Sequence, residues 1–261
     1  MTTSGPTHAG SRVPTATVFC RAAVAELTRL VTIRSTWWSL LAASALMLFI
    51  GGAAGSSPPD AGEMAPIWFA AEFAILPGQF VFLLIVLLAV TGEYATGAIR
   101  SSLQWVPRRG ILLAARTLVP VAFATVCAVV ISTATDLVAW GFLGEHAEVV
   151  PGDIARSLGM IAVVVAVGGL LTVGLSLVLR STAGALISIV LLIFALPVML
   201  GNIGVQLLTT IAEYLPGSVF MALLEATGEE RAAGTVALVL VAWTSAAVFS
   251  GGWSLVRRDT T

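Results

Sequence analysis

The chain has 261 residues, of which 58% are hydrophobic and only 10% charged, with a formal net charge of −1 and a mean hydropathy of +1.00. A soluble domain carries roughly a quarter charged residues, so a chain this apolar has too little polar surface to cover itself in water. The bilayer is the expected solvent, and the expected class is an all-α polytopic membrane protein.

Residues 1–17 are polar and rich in Thr, Ser, Gly and Pro. They read as a disordered cytoplasmic tail. A signal peptide is not expected, because the first apolar run starts late and no short apolar region precedes a cleavage site. Residues 18–258 read as one transmembrane domain. Within 16–35, Val18, Phe19, Ala22, Leu27, Leu30 and Val31 recur at roughly helical spacing, with Arg21, Glu26, Arg29 and Arg34 between them. That pattern predicts an amphipathic helix on the inner leaflet.

A spanning helix needs ~20 mostly apolar residues. Six stretches qualify, at 37–55, 73–92, 117–142, 157–179, 183–201 and 235–256. Trp37 and Trp38 are placed to anchor the first at the interface. In the second, 80–90 carries no polar side-chain atom. Between the fifth and sixth lie two short apolar pieces around Leu215-Pro216-Gly217. Both are too short to span, and they predict interfacial or re-entrant helices on the outer face.

Arginine sets the orientation. With both termini inside, Arg12, Arg21, Arg29, Arg34, Arg100, Arg108, Arg109, Arg116, Arg180, Arg257 and Arg258 are cytoplasmic, and only Arg156 and Arg231 lie outside. Ten acids, Asp60, Glu63, Glu72, Glu145, Glu148, Asp153, Glu213, Glu225, Glu229 and Glu230, fall outside. The expected location is therefore the cell membrane, multi-pass, with both ends cytoplasmic.

The chemistry is bounded by what is missing. There is no Lys anywhere, and a phosphate-binding P-loop needs one on the β/γ-phosphates, so this polypeptide alone is no P-loop ATPase. Cys20 and Cys127 are expected to be free packing residues, not a disulfide. Gly174-Leu175-Ser176-Leu177 resembles the serine segment of rhomboid intramembrane proteases. A serine nucleophile needs a base, yet the only histidines are His8 in the tail and His146 in an outer loop. Small-residue helix packing is the better reading of that tetrapeptide. His146 stands near Glu145, Glu148 and Asp153, which reads as a solvated acidic loop, and no metal site is expected. No cofactor of its own and no nucleic-acid partner are expected for the chain.

The spans are nearly empty of ionisable groups, whereas ion-coupled carriers keep them for function. Asp136 is the clear exception. At ~1.5 Å per residue it lies near the outer interface, either as a solvated or Arg156-paired acid or with a role in a translocation path or outer gate.

The loop 92–110 between the second and third spans is more distinctive. It reads Gly92-Glu93-Tyr94-Ala95-Thr96-Gly97-Ala98-Ile99-Arg100-Ser101-Ser102-Leu103-Gln104-Trp105-Val106-Pro107-Arg108-Arg109-Gly110. Residues 96–105 predict a short helix, with Ile99, Leu103 and Val106 on one side, ended by Pro107. Arg108 and Arg109 then sit at headgroup depth. Glu93-Tyr94-x-Thr96-Gly97-x-Ile99-Arg100 followed by Val106-Pro107-Arg108-Arg109-Gly110 resembles the first cytoplasmic loop of ABC-2-type (type V exporter) permease subunits in their actinobacterial form. The segments 30–38 and Arg180-Ser181-Thr182-Ala183-Gly184-Ala185, and then Leu196-Pro197 and Leu215-Pro216, resemble further landmarks of that family. Together they cover residues 20–257.

The resemblance implies a permease that is not itself an enzyme. It would pair with a second protomer, identical or paralogous, and dock a separate P-loop subunit that binds ATP and Mg²⁺. Glu93, Tyr94, Thr96, Gly97, Ile99, Arg100, Leu103 and Trp105 would form the ATPase-docking coupling helix, with Glu93 anchored near the connecting helix, against Arg29 or Arg34. Arg108 and Arg109 would meet membrane lipids or the ATPase. Gly51, Gly52, Gly201, Asn202 and Gln206 are candidate path-lining residues, with Asp136 as a further one. A path almost free of charge suits a hydrophobic or amphipathic substrate such as a drug, lipid or peptide. The alternative from another class is a non-transporting membrane anchor, immunity or sensor protein.

Overall fold

A computed structural model describes residues 14–57, 64–96, 109–224 and 233–258. It is helical almost throughout, and six of its helices are long and apolar enough to cross a membrane. The chain is thus an all-α, multi-pass membrane protein by length and composition. Most of the expected tail lies outside the described residues, but α1 (Thr15–Thr32) already begins at Thr15. The last three residues assigned to the tail are therefore helical. Pro14, with φ −56°, stands at the N-cap, where its missing N–H costs nothing.

Ile33 takes an extended conformation and separates α1 from α2 (Arg34–Gly55). The segment 16–35 is thus not one helix, and Arg34 opens the first span. Only Glu26 and Leu30 of α1 are buried, while Val24, Leu27 and Val31 are exposed. The helix is amphipathic in an unexpected way. One narrow face, led by an acid, packs on the protein, while an apolar face points outward where the bilayer can cover it.

The remaining long helices are α3 (Trp68–Thr96), α4 (Arg109–Leu143), α5 (Pro151–Leu179), α6 (Thr182–Asn202) and α9 (Ala233–Arg258). α3 and α4 both run well past the expected spans 73–92 and 117–142, because a hydropathy window sees the apolar stretch and not the helical turns beyond it. Two short helices, α7 (Gln206–Glu213) and α8 (Pro216–Leu224), meet at 67° in the segment where short outer helices were expected.

α3 and α5 form the centre. In their most apolar windows 56% and 61% is buried, against 17% for α6 and α9. Both are apolar nearly all round, which suits helices enclosed by others. α2 instead buries one stripe, Thr36, Ser39, Ala43, Met47, Gly51 and Gly55, at three- and four-residue spacing. Its other face exposes Trp37, Trp38, Leu41 and Phe49. The small residues admit α4 closely: a Cβ on Gly51 would stand 2.6 Å from Thr135 Cγ2, and one on Gly55 2.7 Å from the Ala139 carbonyl oxygen. In a bilayer, where lipid is as apolar as Leu, such close approach is a main source of helix association.

α6 contains a π-helical turn, Leu191–Ala195. Pro197 explains it, having no N–H to give the Ile193 carbonyl and a ring that crowds it. Outside the bundle, β1 (Ala65–Pro66) pairs in parallel with β2 (Ala147–Glu148), Ala65 opposite Ala147 and Pro66 opposite Glu148. The N–H of Ile67 then donates to the Glu148 carbonyl at 3.3 Å.

Candidate functional site

The expected docking segment starts where α3 ends. Glu93, Tyr94 and Thr96 belong to the last turn of α3, so the helix does not stop at Gly92 as the spacing suggested. The side chains of these residues, and all of Gly97, Ile99, Arg100, Leu103, Trp105 and Arg108, lie outside the described residues. Arg109 is the first residue of α4.

What flanks that segment is well defined. Arg29 Nε donates to Glu26 Oε2 at 2.9 Å, and its Nη2 donates to Glu26 Oε1 at 2.8 Å, a bidentate pair one turn apart on α1. The same Nη2 also donates to the Ala89 carbonyl of α3 at 2.9 Å. A guanidinium has the fork geometry to hold a carboxylate and a carbonyl together. It ties α1 to α3 one turn before Glu93. Arg34 stands exposed at the start of α2.

Beside this clamp, α1, α2 and α3 enclose a cleft of about 480 Å³. Leu30, Ile33, Ile85 and Leu88 give it apolar walls, and Arg29, Ser35, Thr36 and Ser39 give it a polar side. A cleft of this size falls within the range of small-molecule sites.

The candidate path-lining residues do not form one site. Gly51 is buried against Thr135 of the same chain, so it acts in close helix packing. Gly52 faces Phe142 at ordinary contact distance. Gly201, Asn202 and Gln206 are exposed at the far end of α6 and the start of α7, and Asn202 Nδ2 donates to the Val198 carbonyl. Asp136 is only 3% exposed, which corrects its reading as a solvated acid. Its Oδ1 accepts the backbone N–H of Ala71 at 3.0 Å.

The serine segment behaves as packing. Ser176 Oγ donates to the Thr172 carbonyl at 2.6 Å in a fully buried position, and Gly174 lies directly against the Ala247 backbone of α9. Cys20 is exposed and Cys127 half-buried, both free. Among the described residues no group of three or more His, Cys, Asp or Glu comes together.

Sequence reasoning missed Glu26 as a buried partner, since it sat among polar residues of a surface helix. Compared with protein-family models, the chain matches none, and no curated protein matches it.

Proposed function

We propose that the chain is the membrane-spanning permease subunit of an ATP-binding-cassette exporter. In this reading a separate P-loop subunit docks on residues 93–110 from the cytoplasm and hydrolyses ATP with Mg²⁺. A second protomer completes the path, and both termini face the cytoplasm of the cell. The observation that carries the reading is the ordered motif of Glu93, Thr96, Gly97, Ile99 and Arg100 followed by Pro107, Arg108 and Arg109, set between two spanning helices.

Local geometry supports it. Closure of an ATPase on this loop would act on the inner end of α3, and the Arg29 bridge to Ala89 would carry the displacement into α1. The exposed apolar faces of α2 and α6 leave room for a second protomer in the membrane plane. The cleft between α1, α2 and α3, apolar with hydroxyls at one side, suits an amphipathic substrate arriving from the inner leaflet.

The test is co-purification with the candidate ATPase, for the unaltered chain and for Ile99→Asp and Arg100→Glu. The expected result is loss of ATPase binding and of permease-stimulated hydrolysis in both variants, with folding intact. Undiminished binding would refute the assignment of the loop, and finding no ATPase partner at all would refute the exporter.

A further inference from the structure

The first turns of α2 carry hydroxyls that the helix does not satisfy. Elsewhere in the bundle a buried hydroxyl donates to the carbonyl four residues back, as Thr91 does to Leu87, Thr172 to Gly168 and Ser176 to Thr172. Ser35 and Thr36 stand too close to the break at Ile33 for that. The carbonyls four residues back belong to Val31 and Thr32 of α1, and the Trp37 indole N–H already donates to Val31 at 2.7 Å. Ser39, one turn further on, makes no such bond either, so none of the three hydroxyls has a partner among the described residues. Thr36 and Ser39 are 5% and 8% exposed, and all three residues line the cleft between α1, α2 and α3. A buried hydroxyl without a partner is costly, and a ligand that brings an acceptor removes that cost.

The rest of the cleft says which ligand. Leu30, Ile33, Ile85 and Leu88 face the hydroxyls with hydrocarbon. On α3 the lining runs from Gly92 to Ile85, about 10 Å along the helix at ~1.5 Å per residue. The charge of Arg29 is balanced by Glu26, so a neutral acceptor suits this part. At the start of α2, Arg34 is exposed and the helix N-terminus has no side-chain cap, a combination that attracts phosphate. Trp37 and Trp38 of the same turn are exposed, and such residues settle at the membrane interface. Lipids carry their ester carbonyls at that depth.

We propose that the cleft binds one glycerophospholipid of the adjoining leaflet. An ester carbonyl accepts from the hydroxyls of Thr36 and Ser39, and its acyl chain lies against Leu30, Ile33, Ile85 and Leu88. The phosphate meets Arg34 at the start of α2. A cleft of about 480 Å³ takes one chain with its ester, while the headgroup and the second chain stay in the bilayer. This lipid gives a chemical class to the amphipathic molecule that the exporter reading, on which that role rests, places in the cleft. Binding itself needs no ATPase and is measured on the chain alone, so its failure leaves the docking of residues 93–110 untouched.

The experiment is native mass spectrometry of the purified full chain in an ester-free detergent. The chain is titrated with dioleoyl phosphatidylglycerol, with its dialkyl ether analogue and with dioleoylglycerol. The expected result is saturable binding of a single phosphatidylglycerol per chain. The ether analogue lacks the carbonyls and should bind about tenfold more weakly, the effect of losing a hydrogen bond to a buried group. Thr36→Val combined with Ser39→Ala should weaken the ester lipid to the same degree and leave the ether lipid unchanged. Arg34→Gln should weaken phosphatidylglycerol and not dioleoylglycerol. Equal affinity for ester and ether lipids in the unaltered chain overturns the proposal, whatever the variants do. So does unsaturable uptake of many lipids, a chain that binds none, a dimer that excludes lipid, or a double variant that keeps its preference for the ester.

Discussion

Gly217, at the start of α8, lies directly against the carbonyl of Ile193, the group that Pro197 leaves without its helical donor. A Cβ added there would overlap the Ile193 oxygen and stand 2.5 Å from its carbon. Neither partner is a flexible side-chain end, so nothing can swing aside. Gly217→Ala should cost about 3 kcal/mol, the upper part of the range for overpacking. Gly201→Ala, also in α6 but with nothing within 4 Å of its Cβ, should be close to neutral. Parallel unfolding curves of the two variants check this, and equal stability would contradict the contact.

The crossing of α5 and α9 rests on the same kind of contact. Gly174 meets the Ala247 backbone, and a Cβ on Gly251 would stand 3.3 Å from the Gly174 Cα. Gly174→Ala should push α9 away and lower stability by about 2 kcal/mol. Ser176→Ala loses only a bond to the carbonyl one turn back and should change stability by about 1 kcal/mol or less. Unfolding in a denaturing detergent, read by intrinsic Trp fluorescence, would compare the two.

The Arg29–Glu26 pair is partly wet, with side chains 29% and 8% exposed. The 3–5 kcal/mol lost on breaking a fully buried pair is therefore too large, and about 1–2 kcal/mol is expected for Arg29→Ala. Arg29→Ala should cost more than Glu26→Gln, because it leaves a buried carboxylate unpaired and also releases the Ala89 carbonyl. A double-mutant cycle should give a coupling of about 1 kcal/mol. In the exporter reading, Arg29→Ala should further reduce permease-stimulated hydrolysis without abolishing ATPase binding.

The two native cysteines provide a test of orientation. Cys20 on α1 is exposed, and Cys127 is half-buried inside α4. An impermeant maleimide should label Cys20 in inside-out vesicles and not in intact cells. In a Cys20→Ser background, a cysteine placed at the exposed Val149 should react in intact cells. The opposite pattern would invert the topology.

Much of the fold was legible because the bilayer demands long apolar runs, and those runs are unmistakable at this composition. The helix break at Ile33 was not, since nothing in Leu30-Val31-Thr32-Ile33-Arg34 signals a stop. Ile33 turns extended where α1 ends and the first spanning helix, α2, begins. Glu26 was read as a surface acid because burial of a charged residue depends on which neighbour supplies its partner. Asp136 was visible as an oddity, and its burial was not: that follows from α3 offering a backbone N–H at Ala71. The docking motif remains a reading of residues whose order and spacing carry it.

The two-residue bridge between β1 and β2 joins the loop after the first span to the loop after the third. Those loops belong to the hairpins α2–α3 and α4–α5, so the first four spans are clasped at one end by backbone hydrogen bonds rather than by packing alone. Parting the two hairpins at that face would require unfastening the clasp.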